Sequence, residues 1–280
     1  VTTTADGTSA PAEYPPPRHI LRDLRLHVEH RPDRTSTGWL PIGPHLTTAS
    51  GRPRAGIVAT LVDVVGGGLA GLAARPDWIA TADLTLHLLP RAVDGAIEAH
   101  GRVLRAGRTT VVIEVRLADA AGSRLGVGTM SFAVLPRRDG NPVLDQVDTV
   151  QHMTMTGGED LHAPVVERIG IRTVDAAAGV VELPYTDYVR NTLGAVQGGM
   201  MATVADVAAE EALTVACGGR VDVTDLQITY LALAKAGPVR TRTQVLTAVP
   251  AFGIAHVELL DAGADDRRTT LVRAVAGRAS

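Results

Sequence analysis

Two aspartates stand inside otherwise apolar, helix-patterned segments. Asp63 lies in GIVATLVDVVGGGLAGLAA and Asp206 in GGMMATVADVAAEEALTVA. Ahead of the second runs Asn191-Thr-Leu-Gly194-Ala-Val-Gln197-Gly198-Gly199. A carboxylate in an apolar setting can act as general base or as nucleophile. A glycine in the first turn of a helix lets a ligand approach the unpaired N–H groups there. An asparagine just before it can add a neutral side-chain donor. Each residue also has an ordinary reading. An aspartate can face solvent, Asn191 can be a turn residue or N-cap, and a strand threonine such as Thr81 can simply suit its strand.

Other chemistries lack their residues. The nine histidines form no HxxxH or HExxH spacing, and Cys217 is the one cysteine, so neither metal nor disulfide is expected. GxSxG, a strand-borne GxGxxG and GxxxxGK[ST] are all missing, which argues against serine-hydrolase, dinucleotide and P-loop chemistry, and no cofactor is expected. The net charge of −3 gives no push toward nucleic acid. With 45% hydrophobic residues in 280, the chain can bury a sizeable core. The apolar run Gly56 to Ala74 is interrupted by Asp63 and by Gly66, Gly67 and Gly68, so no membrane span is expected. The lone cysteine suits a reducing, cytoplasmic setting.

The elements that must position these residues occur twice. Leu40 to Asp63 aligns without a gap with Leu183 to Asp206, at an offset of 143. Seven of the 24 positions are identical, against roughly two for random pairing. The likeness continues at Ala82–Leu86 with Thr224–Ile228 and at Val115–Asp119 with Val257–Asp261. A period this long is a duplicated domain, not a solenoid. The pattern predicts a helix over 54–74 or 197–216 in each copy, followed by long strands. These are 80–89, 97–106, 109–119 and 126–135 in copy one, and 223–233, 239–247, 253–260 and 269–276 in copy two. Residues 1–19 read as a disordered leader, 20–138 as domain one, 139–160 as a polar linker and 161–280 as domain two. The fold class is α+β.

Asn191, Gly194, Gln197, Gly198, Gly199 and Asp206 together resemble the Asn-x-x-Gly-x-x-His-Gly-Gly…Asp pattern of hotdog thioesterases, closest to the phenylacetate-pathway and 4-hydroxybenzoyl-CoA type. Val223 to Tyr230 resembles the strand that follows the helix in that family. The resemblance implies two fused hotdog domains, each a long central helix wrapped by an antiparallel sheet, and an acyl-CoA thioesterase. Gln197 departs from the usual histidine. Copy one is more degraded, with Thr48, Arg54 and Ala55 at the positions of Asn191, Gln197 and Gly198.

Asp206 is roughly 12 Å along the helix axis from Gly198, too far to share one carbonyl with it. If the helices pack antiparallel about a pseudo-twofold axis, Asp63 serves Gly198 instead. The resemblance implies the same, since its sites lie between protomers. The expected catalytic set is therefore Asp63, Asn191, Gly198, Gln197 and Thr81. The second set, Asp206 with Thr48, Arg54, Ala55 and Val223, is expected to be degenerate, with Arg54 at its mouth free to meet a CoA phosphate or a carboxylate. Glu210 reads as part of a solvated helix face. A hotdog hydratase or dehydratase and a non-catalytic acyl-CoA-binding protein are the alternatives. Acyl-CoA is the expected ligand, and a homo-oligomer of the two-domain chain the expected assembly.

Overall fold

The computed structural model describes residues 14–136 and 149–279. Among the described residues there are four α-helices: α1 (Ile20–Asp23), α2 (Ala55–Ala74), α3 (Val165–Arg168) and α4 (Gly198–Ala216). Copy one supplies strands β1 (His27–His30), β2 (Thr35–Pro41), β3 (Trp78–Leu88), β4 (Ala96–Ala106), β5 (Thr110–Asp119) and β6 (Arg124–Leu135). Next comes β7 (Gln151–Thr154). Copy two supplies β8 (Arg172–Asp175), β9 (Val180–Leu183), β10 (Val221–Tyr230), β11 (Val239–Val249), β12 (Phe252–Asp261) and β13 (Arg267–Arg278).

All thirteen strands form one sheet in the order β7-β1-β2-β4-β5-β6-β3-β10-β13-β12-β11-β9-β8. Apart from β7, the second half of that order mirrors the first. The halves join where β3 pairs antiparallel with β10, from Asp83 opposite Thr229 to His87 opposite Asp225. Thr229 donates to Asp83 across this seam at 2.9 Å, and His87 meets Asp225. The protein is thus a pair of fused hotdog domains sharing one continuous sheet.

Alternation along the strands turns Val111, Ile113, Val115 and Leu117 of β5 inward, and likewise Ala255, Val257 and Leu259 of β12. Against these faces lie α2 and α4. Helix α2 is long and apolar enough to cross a membrane, with a mean hydropathy of 1.9. Here it is a core helix, buried from Ala55 to Val62 and again at Val65, Gly66, Leu69 and Ala70. Few apolar residues face outward on either helix because sheet and partner helix cover most of the surface.

The two helices cross close to their N-termini. A Cβ on Gly56 would stand 2.3 Å from the Thr203 Cα, and one on Gly199 would stand 2.6 Å from the Thr60 Cα. These are the same two repeat positions, exchanged. Advancing along α2 from Gly56 to Thr60 means retreating along α4 from Thr203 to Gly199, so the helices are antiparallel about the pseudo-twofold axis. Only glycine permits that approach.

Two domain assignments need correction. Residues 1–13 lie outside the described residues, but the rest of the expected leader is folded onto the body. Tyr14 donates to the Arg190 carbonyl at 3.3 Å, and the buried His19 ring contacts the same oxygen at 2.8 Å. Apolar contact and these bonds outweigh the Pro-rich composition. The expected linker lies partly outside the description, at 137–148, and its later part is not a surface crossing. Gln151–Thr154 forms β7, an edge strand paired with β1. Asp23 of α1 also accepts from Arg168 at 3.0 Å and Tyr188 at 2.5 Å, tying the start of copy one to copy two.

Candidate active site

The antiparallel crossing fixes the first cluster. Asp63 comes just under one turn after Thr60, so seating Gly199 on Thr60 brings the Asp63 carboxylate to the N-terminus of α4. Its Oδ2 lies 3.0 Å from the point where a Cβ on Gly198 would stand. Thr81, on β3, donates to Asp63 Oδ1 at 3.3 Å. Tyr230, at the end of β10, donates to the Gly198 carbonyl at 3.0 Å. Three of the expected residues, Asp63, Gly198 and Thr81, therefore meet, drawn from both halves of the chain.

Burial pushes the Asp63 carboxyl up to about 6, opposed by the Thr81 hydroxyl and the Gly199 N–H. Burial, and then the Asp63 charge, hold the Tyr230 phenol well above its usual range, so it stays a donor. Burial, and then the Asp63 charge, raise the Tyr14 phenol likewise.

Beside this cluster lies a pocket of about 270 Å³. Gly198, Thr81, Asn191 and Tyr230 line it, together with apolar residues including Val196, Met201 and Leu233. Asn191 sits in the turn leading into α4, where its Oδ1 accepts from the Leu193 and Ala195 N–H groups at 2.9 and 3.0 Å. Its side-chain oxygen shapes the loop, which leaves Nδ2 as the group able to donate into the pocket.

Gln197 is not part of this wall. It is the N-cap of α4, buried, and its Oε1 has no partner. Its carbonyl receives the Met200 and Met201 N–H groups at 3.0 Å at the start of the helix, while its side chain is buried away from the pocket lining. Sequence reasoning missed Tyr230 and Tyr14. Tyr230 had a signal, because the repeat alignment puts Leu88 at its counterpart position; Tyr14 had none in its Pro-rich surroundings.

The second cluster has the same backbone and different contents. The Gly56 N–H donates to Asp206 Oδ2 at 3.0 Å. Arg54 turns inward, 2.8 Å from Glu210 Oε2 and 3.5 Å from Asp206 Oδ2. Arg52 pairs with Asp222 at 3.1 Å, Ser50 donates to Asp222 at 2.6 Å, and the Thr48 hydroxyl lies 3.0 Å from Ser50. Ala55 carries a methyl where Gly198 has none, and Val223 is buried where Thr81 offers a hydroxyl.

Of the two partners expected for Arg54, a phosphate or a carboxylate, it meets carboxylates, those of Asp206 and Glu210, and it does so buried within the fold and not at an open mouth. One expectation fails here. Glu210 is not a solvated face; it is Arg54's closest partner. Burial raises both acids, Glu210 to about 7, with Arg54 opposing the shift. The reason is shared: a cation at a helix N-terminus is unfavourable unless compensated, and Asp206 and Glu210 of the antiparallel partner helix compensate it.

A double-hotdog protein with a carboxylate of one helix at the N-terminus of the other is what fold and geometry define. The sequence profile of the thioesterase superfamily matches residues 55–125 and 193–263, one stretch in each copy, and the chain belongs to that superfamily. This membership supports thioester hydrolysis in general. A search of curated proteins finds no match. Among solved structures, the tesB protein of Mycobacterium avium subsp. paratuberculosis is similar at 13% identity and a TM-score of 0.63, over 92% of this chain and 97% of that one. An acyl-ACP thioesterase from Bacteroides thetaiotaomicron is similar at 12% identity and a TM-score of 0.56, over 87% and 98%. The 12:0-ACP thioesterase from Umbellularia californica is similar at 11% identity and a TM-score of 0.58, over 87% and 94%. At these identities the likeness is one of fold.

Proposed function

We propose that the protein hydrolyses an acyl-CoA thioester to free acid and CoA at the single composite site of Asp63, Thr81, Asn191, Gly198 and Tyr230. The observation that carries this is the Asp63 carboxylate at the N-terminus of α4, beside a largely apolar pocket. An acyl chain would lie along Val196, Met201 and Leu233. Its carbonyl would approach Gly198, where the absent side chain exposes the first-turn backbone donors and Asn191 Nδ2 is near. Asp63 takes a proton from water as the water oxygen bonds to the carbonyl carbon. The charge gathering on the carbonyl oxygen is met by the helix N-terminus. The C–S bond then breaks, and the thiolate takes up a proton. A carboxyl raised to about 6 is ionised at neutral pH and more basic than an ordinary aspartate, which suits a base. Arg18 and Arg190, the latter paired with Asp187, line a second hollow that also borders Asn191, and a phosphate-bearing carrier entering from that side would meet them. Acyl-CoA rather than acyl-carrier protein, and a cytoplasmic setting for the buried, unpaired Cys217, belong to this proposal.

The test is CoA release from a panel of acyl-CoAs followed with a thiol reagent, beside the same acyl groups on carrier protein. Release from acyl-CoA that disappears in Asp63→Asn supports the reading. Binding without release, or release from carrier protein alone, overturns it. Hydration of an enoyl-CoA without thiol release would favour the hydratase alternative, although no histidine lines the pocket.

A further inference from the structure

Far along the sheet from this pocket, at the edge formed by β1 and β7, three potential ligands converge. His27 and Glu29 are two residues apart on β1 and so share a face. Pairing of β7 with β1 sets His152 opposite Glu29 and Thr154 opposite His27. His27 Nε2 lies 3.6 Å from Glu29 Oε1, and His152 Nδ1 lies 3.4 Å from the same oxygen. All three ligand atoms fall within 4.8 Å of one another.

Both contacts are within ion-pair distance if the imidazoles are protonated; with neutral imidazoles the same three atoms can surround a cation. Zinc bonded at about 2.0–2.1 Å in a tetrahedron sets neighbouring ligand atoms roughly 3.3 Å apart. The observed 3.4 and 3.6 Å from Glu29 Oε1 are close to this spacing, while the two imidazole nitrogens, within 4.8 Å of each other, would draw together around the ion. The outer contacts are arranged to suit. His27 Nδ1 is 2.6 Å from the Thr154 hydroxyl, and donation from Nδ1 leaves the Nε2 lone pair facing inward. Arg31 holds the other Glu29 oxygen at 2.7 Å, fixing the carboxylate while leaving Oε1 to the cluster. The Trp39 ring packs on His27, with ring centroids 5.1 Å apart.

We propose that His27, Glu29 and His152 bind a divalent late first-row cation, with zinc the first candidate and water completing its coordination. Two imidazoles and one carboxylate suit zinc, nickel or copper better than magnesium or calcium. The ion would tie the edge strand β7 to β1 and so fasten the returning chain to the first domain.

Untagged protein is the material for the test, because an affinity tag would itself bind these ions. Equilibrium dialysis against zinc chloride should give one zinc per chain. Copper or nickel should quench the Trp39 component of the fluorescence, identified by its loss in Trp39→Phe. His27→Gln and His152→Gln should each weaken binding by more than the roughly tenfold expected of the outer contact variant Thr154→Val. Circular dichroism establishes that the variants are folded. No stoichiometric zinc, or zinc bound equally well by both histidine variants, overturns the proposal.

Discussion

Asp63 of the first domain and Gly198 of the second meet so closely that a methyl group on Gly198 would lie 3.0 Å from the carboxylate and 3.2 Å from the Tyr230 hydroxyl. Both neighbours are side-chain ends, able to give way by a few tenths of an ångström. Gly198→Ala should therefore fold, with an unfolding midpoint near that of the parent. It should lose roughly tenfold to a hundredfold in turnover, because small misplacements of a reacting group are costly. Full activity in this variant would show that the carbonyl is not bound at Gly198.

The two aspartates should differ sharply. Asp63→Asn keeps the shape and removes the base, so turnover should fall by about a hundredfold or more. Stability should move the other way. The carboxyl's rise to about 6 means that folding disfavours its charge, and removing that charge should stabilise the protein at neutral pH, by up to about 3 kcal/mol before solvent screening at the pocket is allowed for. Asp206→Asn should cost little turnover, since its carboxylate already serves Arg54 and Gly56. Steady-state kinetics and thermal melts on the pair decide this, and a dead Asp206→Asn beside a normal Asp63→Asn would reverse the assignment.

Much of this arrangement was legible in the sequence. The repeat, the two long helices and the eight long strands follow from apolar runs and the fixed offset, and α2 begins one residue inside the predicted start. The meeting of Asp63 with Gly198 followed from helix rise plus an antiparallel pairing. The rest depends on tertiary register. Gln151–Thr154 has no apolar alternation to mark it as a strand, and becomes one because β1 offers an open edge. Glu210 and Asp222 look like surface acids until the partner helix delivers Arg54 and the loop delivers Arg52. Tyr230 acquires its place only when the end of β10 comes beside the start of α4 and its hydroxyl reaches the Gly198 carbonyl.

Asn191 carries two duties that one substitution can separate. Its oxygen holds the loop through Leu193 and Ala195, while its amide nitrogen is the donor proposed for the carbonyl. Asn191→Ala removes both. Asn191→Asp keeps the acceptor and replaces the donor with a carboxylate oxygen, so it should preserve the melting midpoint and still lower turnover at neutral pH. Parental turnover in Asn191→Asp would assign the residue to the turn alone.

The pH dependence of kcat/KM should report Asp63. Only the ionised carboxylate can take a proton, so kcat/KM should rise with pH through about 6 and level off above it. Thr81→Val removes a hydrogen bond that favours the ionised form and should shift this limb to higher pH. A limb near the ordinary aspartate value, unmoved by Thr81→Val, would count against Asp63 as the base.

The second cluster should reveal itself in stability rather than catalysis. Arg54 is buried between Asp206 and Glu210, and removing one partner of such a network strands the charges that remain. Arg54→Gln should destabilise the fold by about 3–5 kcal/mol, with turnover per folded molecule little changed. Glu210 adds a pH signature. Its carboxyl rises from 4.5 to about 7 on folding, so the native state binds a proton that the unfolded chain releases. Stability from this group is therefore lost as pH climbs from about 4.5 to about 7. Glu210→Gln removes that titration, and denaturant melts across the range should show a shallower decline than the parent, while the kcat/KM limb assigned to Asp63 stays in place. If the decline is unchanged in Glu210→Gln, the proton resides elsewhere in the cluster, with Asp206 its nearest alternative host.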